Sequence, residues 1–480
     1  MSSSSSSKRS SDDPSATATK KSKTTSANLN RYSGWTVPSQ HYEIPAIDVH
    51  NVTPEQFYKD YIQPRRPVVI KGLPDDLSNL SSWNNLPHLD KAAGHQTVMV
   101  ERRSDTADGY GQGNEVSMTF SHFLKLLQNG DEMHYLTTQD VPSNADGRPD
   151  ILPPLMKALS HDFPLRPRLM GKLIPQNMNL WMGNANARIG SSSGLHHDYH
   201  DNLYVVLAGR KRFRLFSPRD AEYLYTRGRL LSVHPNGRIN YVGEETTAHG
   251  ADLGAYAAAV AATRQRKAEE RLYEAERGVE EGRAGAMEEL EEAEEELERA
   301  MEALIDAEVD EDDDEEEEAE EDEACDGVNG CRLVDKTVKN PNNFSKVPVE
   351  MLEDVTKFQQ EYPDLQKTTM AYCDINPGEM LYLPASWFHE VTSYSGEKGA
   401  HHIALNYWCV TWSFVCQCLH IFDDFSGKDY IHLIKSVHLA HHSPSGFILR
   451  MERISILHTK MIFGRMIIKT DSVQVKRRSK

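Results

Sequence analysis

The sequence predicts a mainly β fold with flanking helices, a double-stranded β-helix broken by one long helical and acidic insertion. Three observations carry this expectation. His196-His197-Asp198 and the distant His389 are metal-ligand residue types set among short apolar segments. Those segments are rich in β-branched and aromatic residues and are separated by Gly- and Pro-containing turns, as strands are. Between residues 244 and 337 the composition changes abruptly to Ala, Glu and Asp, which cannot supply a barrel's alternating strands.

His-x-Asp places two ligand types at i and i+2. On a strand those positions share one face, so both can reach one metal. A second imidazole, His389, completes a two-histidine, one-carboxylate set, which holds non-haem Fe(II) and leaves coordination positions open. His197 points to the opposite face in this reading and receives no ligand role, and none is given to His200. Ligands on short strands flanked by turns are what a cupin barrel requires.

Along the chain, residues 1–34 are rich in Ser, Thr and Lys and are expected to be disordered. Lys8-Arg9 and Lys20-Lys21-Ser22-Lys23 have bipartite nuclear-import spacing, which implies a nuclear or cytoplasmic protein; a solubilising tail is the alternative. Residues 35–243 form the first part of the barrel domain. Thr53 with Gln56 reads as a capping box, with Pro54 at the first position of a helix to Ile62. Pro67-Val-Val-Ile70-Lys-Gly72 reads as a strand. Asn202 to Ala208 reads as an apolar strand, Gly209 as a turn, and Arg210 to Phe216 as a second strand.

Residues 244–337 interrupt the domain. Ala255–Ile305 lacks proline, and Leu290, Leu297, Met301 and Leu304 recur on one face, so a long helix is expected. Asp310–Glu323 is almost wholly acidic and is expected to be extended. The insertion is either an arm for a basic partner or an inert surface loop, which folds tolerate readily. Residues 338–408 complete the barrel: Asn376-Pro-Gly378 turns into a strand leading to His389, and His402–Trp408 is another. Residues 409–480 are rich in histidine and then basic, and their role is open.

In combination, Leu195-His196-His197-Asp198, Asn202-Leu-Tyr204, Gly209-x-Lys211, Pro377-Gly378-Glu379-Met-Leu-Tyr-Leu-Pro384 and Trp387-Phe-His389 resemble the JmjC-domain 2-oxoglutarate oxygenases, and within them the small JmjC hydroxylases. The resemblance spans roughly residues 40–243 and 338–408. It implies Fe(II) as metal, 2-oxoglutarate as cosubstrate, and O₂. It implies His196, Asp198 and His389 as ligands, and Lys211 as partner of the cosubstrate's distal carboxylate. Tyr135, in His134-Tyr135-Leu-Thr-Thr-Gln139, resembles the family's strand tyrosine that bonds the same carboxylate. Tyr204 and Ser193 are further candidate donors. Asn202 and Asn406 match positions that polarise the iron-bound end or a nearby water. The resemblance also implies dimerisation through C-terminal helices, but the family pattern stops at Trp408, so a homodimer is an open expectation.

The formal net charge is −19, yet residues 264–323 hold 30 acids and 7 bases, leaving 42 acids and 46 bases elsewhere. The global acidity therefore says little about the barrel, and direct nucleic-acid binding is not expected. Six cysteines show no disulfide framework or zinc spacing, consistent with a reducing compartment. No apolar run is long enough to span a membrane, and the serine-rich start is not a secretory signal.

The function implied by the resemblance is protein hydroxylation coupled to oxidative decarboxylation of 2-oxoglutarate to succinate, with a lysyl side chain of a protein such as a translation-associated GTPase as target. The alternatives are lysine demethylation, hydroxylation of another residue or of tRNA, a JmjC-type endopeptidase, and a non-catalytic cupin scaffold whose acidic arm is the working part.

Overall fold

The computed structural model describes residues 29–103, 114–142, 150–312, 341–352, 360–396 and 401–410. The bipartite basic segment, the acidic run beyond residue 312 and the chain after residue 410 lie outside the described residues.

Two sheets face one another. The larger runs β2 (Ala46–Asp48), β3 (Val68–Lys71), β15 (Glu379–Leu383), β10 (Asp201–Ala208), β17 (His402–Val410), β7 (Ile174–Gly183), β6 (His134–Leu136), β4 (Thr97–Arg102) and β5 (Asn114–Thr119). The smaller runs β1 (Tyr42–Glu43), β14 (Met370–Ile375), β11 (Arg210–Phe216), β16 (Phe388–Tyr394) and β8 (Ser191–Ser192), with β9 (His196–His197) also on β16. A hairpin of β12 (Leu230–Val233) and β13 (Ile239–Tyr241) stands apart. This is the double-stranded β-helix expected from the sequence, since each sheet takes strands from both sides of the insertion.

Alternation fixes what fills the barrel. Ala371, Cys373 and Ile375 are buried along β14 while their neighbours are half-buried, as a period of two demands. They pack with Tyr204, Val206, Phe213, Leu215, Leu381, Leu383 and Trp387 between the sheets. A second, larger core lies behind the larger sheet under α2 (Leu86–Ala93), α3 (Phe120–Gln128) and α4 (Pro154–Ala158). The Thr53 capping box forms, with Gln56 N donating to Thr53 Oγ1 at 3.2 Å and Thr53 N to Gln56 Oε1 at 3.1 Å. α1 (Pro54–Phe57) then widens into a π-helical turn at Tyr58–Ile62, which buries Ile62 beside Phe57.

Two local expectations are corrected. β10 and β11 do not pair with each other: β10 lies between β15 and β17, and β11 between β14 and β16. Gly209, at φ 70°, carries the chain from one sheet to the other where a Cβ would strike the Tyr394 carbonyl and His402. A glycine is therefore required at this corner, which sequence pattern alone reads as an ordinary turn.

The insertion holds two helices instead of one, α5 (Leu253–Glu280) and α6 (Ala286–Asp312), packed along each other. Gly282 and Gly285 take positive φ, 69° and 81°, and reverse the chain between them. The contact face is made of small residues at seven-residue spacing: Ala261, Ala268 and Ala275 against Ala286, Ala293 and Ala300, all buried. Leu290, Leu297 and Leu304 flank them half-buried, whereas Met301 is 47 % exposed and off that face. Arg271 ties the pair through Glu292 and Glu296. Residues 244–252 belong to the barrel side: Asn240 Nδ2 donates to the Thr246 carbonyl at 2.7 Å, and Ala251 joins the larger core.

Candidate metal centre

β9 and β16 place the two histidines directly opposite each other, His389 against His196 in antiparallel register. Cross-strand neighbours of this kind are within side-chain reach, and the two imidazole centroids are 4.4 Å apart. β9 ends at His197, and Asp198 follows it immediately, with Asp198 Oδ2 3.6 Å from His389 Nε2. One donor atom from each of His196, Asp198 and His389 lies within 4.8 Å of the others, the one such group among the described residues. His197 turns the other way, as expected, and its Nε2 meets Tyr241 Oη at 2.8 Å in a buried contact. His200 stacks on Trp408.

The donor set fits a divalent metal. His196 Nδ1 faces the Gly194 carbonyl at 3.0 Å, and His389 Nδ1 faces the Trp387 carbonyl at 2.9 Å. Each carbonyl fixes the tautomer with the proton on Nδ1, leaving Nε2 as the lone pair for a metal. Burial, then the nearby His196, pushes the His389 imidazole down to about 4, so the ring is neutral and available as a ligand near neutral pH. Two nitrogens and one carboxylate leave positions for a chelating cosubstrate and O₂.

All nine residues singled out in the sequence line one pocket: His196, Asp198, His389, Lys211, Tyr135, Tyr204, Ser193, Asn202 and Asn406. Lys211 is 1 % exposed and donates from Nζ to Ser393 Oγ at 2.6 Å and to Tyr135 Oη at 3.4 Å. Burial alone pushes its ammonium down to about 7, with no carboxylate among the described residues paired to it. Asn406 donates to Asn202 Oδ1 at 3.2 Å and accepts from Trp181 Nε1 at 3.0 Å and Asn179 Nδ2 at 3.1 Å. Ser193 Oγ accepts from Val391 N at 3.2 Å, and Tyr204 packs edge-on against Phe213.

Several pocket residues were not singled out. Val391 and Ser393 follow His389 at steps of two along β16, and Phe213 follows Lys211 on β11. Strand periodicity read outward from the ligands would have found all three. Glu101, opposite Tyr135 in the pairing of β4 with β6, brings a buried carboxylate. Asn343 and Phe344 arrive from just beyond the insertion, and no local pattern marks them.

The profile of the cupin-like domain matches residues 54–411. JmjC domain-containing protein 4 of Schizosaccharomyces pombe is 33% identical over 80% of this chain and 88% of its own. The chain belongs to the JmjC family of cupin-like proteins. The bifunctional peptidase and (3S)-lysyl hydroxylase JMJD7 of Homo sapiens is 31% identical over 36% of this chain and 54% of its own length. Lysine-specific demethylase JMJ30 of Arabidopsis thaliana is 29% identical over 36% of this chain and 37% of its own. JmjC proteins use Fe(II) and 2-oxoglutarate, and the chain is a dioxygenase of that general class. Among the described residues no helix is long and apolar enough to cross a membrane.

Proposed function

We propose that this JmjC protein is an Fe(II)- and 2-oxoglutarate-dependent hydroxylase of a lysyl side chain in a protein substrate. The observation that carries the reading is the pocket itself: it is lined by three side chains of metal-ligand type whose donor atoms converge and by a buried lysine that, among the described residues, is paired with no carboxylate. Iron, when bound, supplies O₂ activation coupled to decarboxylation of the cosubstrate.

The protein's own residues do the rest. His196, Asp198 and His389 would hold the metal, a ligand set that leaves coordination positions for cosubstrate and O₂. Lys211, braced by Ser393 and Tyr135, receives the distal carboxylate of 2-oxoglutarate and orients the molecule along the pocket. Asn202 and Asn406 offer amides on strands that face the metal. For the target, Trp181, Phe344 and Trp408 add aromatic faces, which receive an ammonium group through cation–π attraction. Relatives support lysyl chemistry with either outcome: JMJD7 is a (3S)-lysyl hydroxylase and JMJ30 a lysine-specific demethylase.

Mass spectrometry of basic peptides and translation-associated GTPases, after incubation with enzyme, Fe(II) and 2-oxoglutarate, tests this. A lysine one oxygen heavier, with matching succinate, is the expected result. Loss of a methyl from methyl-lysine would assign a demethylase, backbone cleavage without succinate a peptidase, and no succinate under any condition a scaffold.

A further inference from the structure

His196 and His389 oppose each other, yet they are held by very different means. His389 lies within the seven-residue strand β16 and is 3 % exposed, with Phe213 beside it. His196 lies on a two-residue strand at the pocket and is only half-buried. Its Nδ1 meets the Gly194 carbonyl, as His389 Nδ1 meets that of Trp387, and further support comes from Asn343-Phe344-Ser345, the segment that returns from the insertion.

That support is specific. The Phe344 ring stacks on the His196 imidazole with centroids 4.8 Å apart and planes 11° from parallel. The backbones of Phe344 and His196 form an isolated antiparallel bridge. Around it, Ser345 N donates to the Leu195 carbonyl at 2.8 Å, His197 N to the Asn343 carbonyl at 3.2 Å, and Asn343 Nδ2 to the His197 carbonyl at 2.6 Å. The His196 ring thus stands between His389 on one side and Phe344 on the other.

We infer that Phe344 is a positioning residue for the metal: it fixes the plane of the His196 imidazole, so the metal site is complete only when the segment after the insertion is docked. The inference rests on the proposed metal reading. A ligand ring free to rotate must be ordered at the moment of metal binding, whereas a ring already clamped has lost that freedom beforehand. For His389 the barrel strand does this. For His196 the Gly194 carbonyl holds one ring nitrogen, and a residue from a different part of the chain supplies the stacking plane. On the barrel side, Asn342 Nδ2 donates to Glu244 Oε1 at 2.6 Å, which ties the returning segment to the strand end before the insertion.

The test uses the full chain, freed of metal by chelation and titrated with Co(II) without oxygen, followed by the visible absorption of the bound ion. Phe344→Ala should weaken Co(II) binding by about 10–100-fold, the range for groups that orient metal ligands, and should alter the band shape. Phe344→Tyr, which keeps the ring, should bind as wild type does. Phe344→Leu, which keeps apolar bulk without a stacking plane, should fall between. Equal binding by Phe344→Ala and wild type would overturn the inference. So would equal weakening in Phe344→Leu and Phe344→Tyr, which would show bulk and not ring stacking at work. If Phe344→Ala does not fold, the Leu–Tyr comparison decides alone. Failure of wild type to bind Co(II) would remove the metal reading itself.

Discussion

Replacing Lys211 by Met should make the cosubstrate-free protein more stable while nearly abolishing 2-oxoglutarate binding. Lys211 is buried, and desolvation brings its ammonium from 10.5 to about 7. That depression corresponds to on the order of 5 kcal/mol withheld from the charged form. An anion placed beside it recovers part of that energy, and removing one partner of such a desolvated pair costs about 2–5 kcal/mol, roughly 30- to 5000-fold in Kd. The sign of the pH dependence follows. Between about 7 and 10.5 the unfolded chain holds a proton on this lysine that the folded, cosubstrate-free protein lacks, so stability rises with pH across that window. Cosubstrate binding restores the charge and so takes up a proton above pH about 7, where affinity should fall toward tenfold per pH unit; below it, affinity should be flat. Calorimetric titration with 2-oxoglutarate in buffers of different ionisation heat counts the proton directly, and thermal unfolding gives the stability. A variant that loses both stability and affinity would mark Lys211 as merely structural. Absence of proton uptake above pH about 7, or wild-type affinity in Lys211→Met, would refute the pairing.

Asp198→Ala should remove metal binding and succinate release, because two imidazoles alone rarely hold Fe(II); wild-type iron content in that variant, by metal analysis, would reject the ligand set. Exchange of residues 253–337 for a short Gly/Ser bridge should leave the fold, bound iron and basal succinate release intact, since Arg271–Glu292 and the alanine face bind the helices to each other. Unfolding or loss of succinate would make the helical pair part of the catalytic domain. Arg65→Ala should cost about 3–5 kcal/mol in urea unfolding by leaving the buried Asp201 carboxylate unpaired; a change within the usual surface range of about 0.5 kcal/mol would reject that role.

The sheet elements, and with them the meeting of His196, Asp198 and His389, were legible because strand pattern is local. His-x-Asp, Gly209-x-Lys211 and the turn before β15 are each read from a few neighbouring residues. Where two elements meet across the fold, the sequence says less. Gly209 looks like any turn glycine, and only the approach of Tyr394 and His402 shows that it is a corner between sheets. In the insertion the lack of proline points to one helix, while alanines spaced seven residues apart and the Gly282–Gly285 break give two. Apolar character alone puts Met301 on the packed face, whereas the close helix contact selects the small Ala300. Glu101 and Phe344 reach the pocket by strand pairing and by a bridge, and neither has a neighbour in sequence to announce it.

The barrel's tolerance of so large an interruption follows from how its ligand loops are tied. Asp201, three residues past the ligand Asp198, is 3 % exposed and accepts hydrogen bonds from Arg65 Nη1 at 2.8 Å, Tyr382 Oη at 3.1 Å and Ala385 N at 3.1 Å. Ser386 N donates to the Asp198 carbonyl at 2.6 Å. Ala385 and Ser386 open the turn that leads to His389. The loop carrying Asp198 and the turn feeding His389 are therefore fastened to each other from behind the pocket, by a carboxylate that Arg65 neutralises. With β9 also registered on β16, the relative placement of the three ligands is set by cross-links inside the barrel, not by the length or path of the chain joining its halves. Loop-closure cost grows only slowly with length. A connection released from positioning the ligands is free to carry a helical pair, and only its returning end, at Phe344, is held to the metal centre.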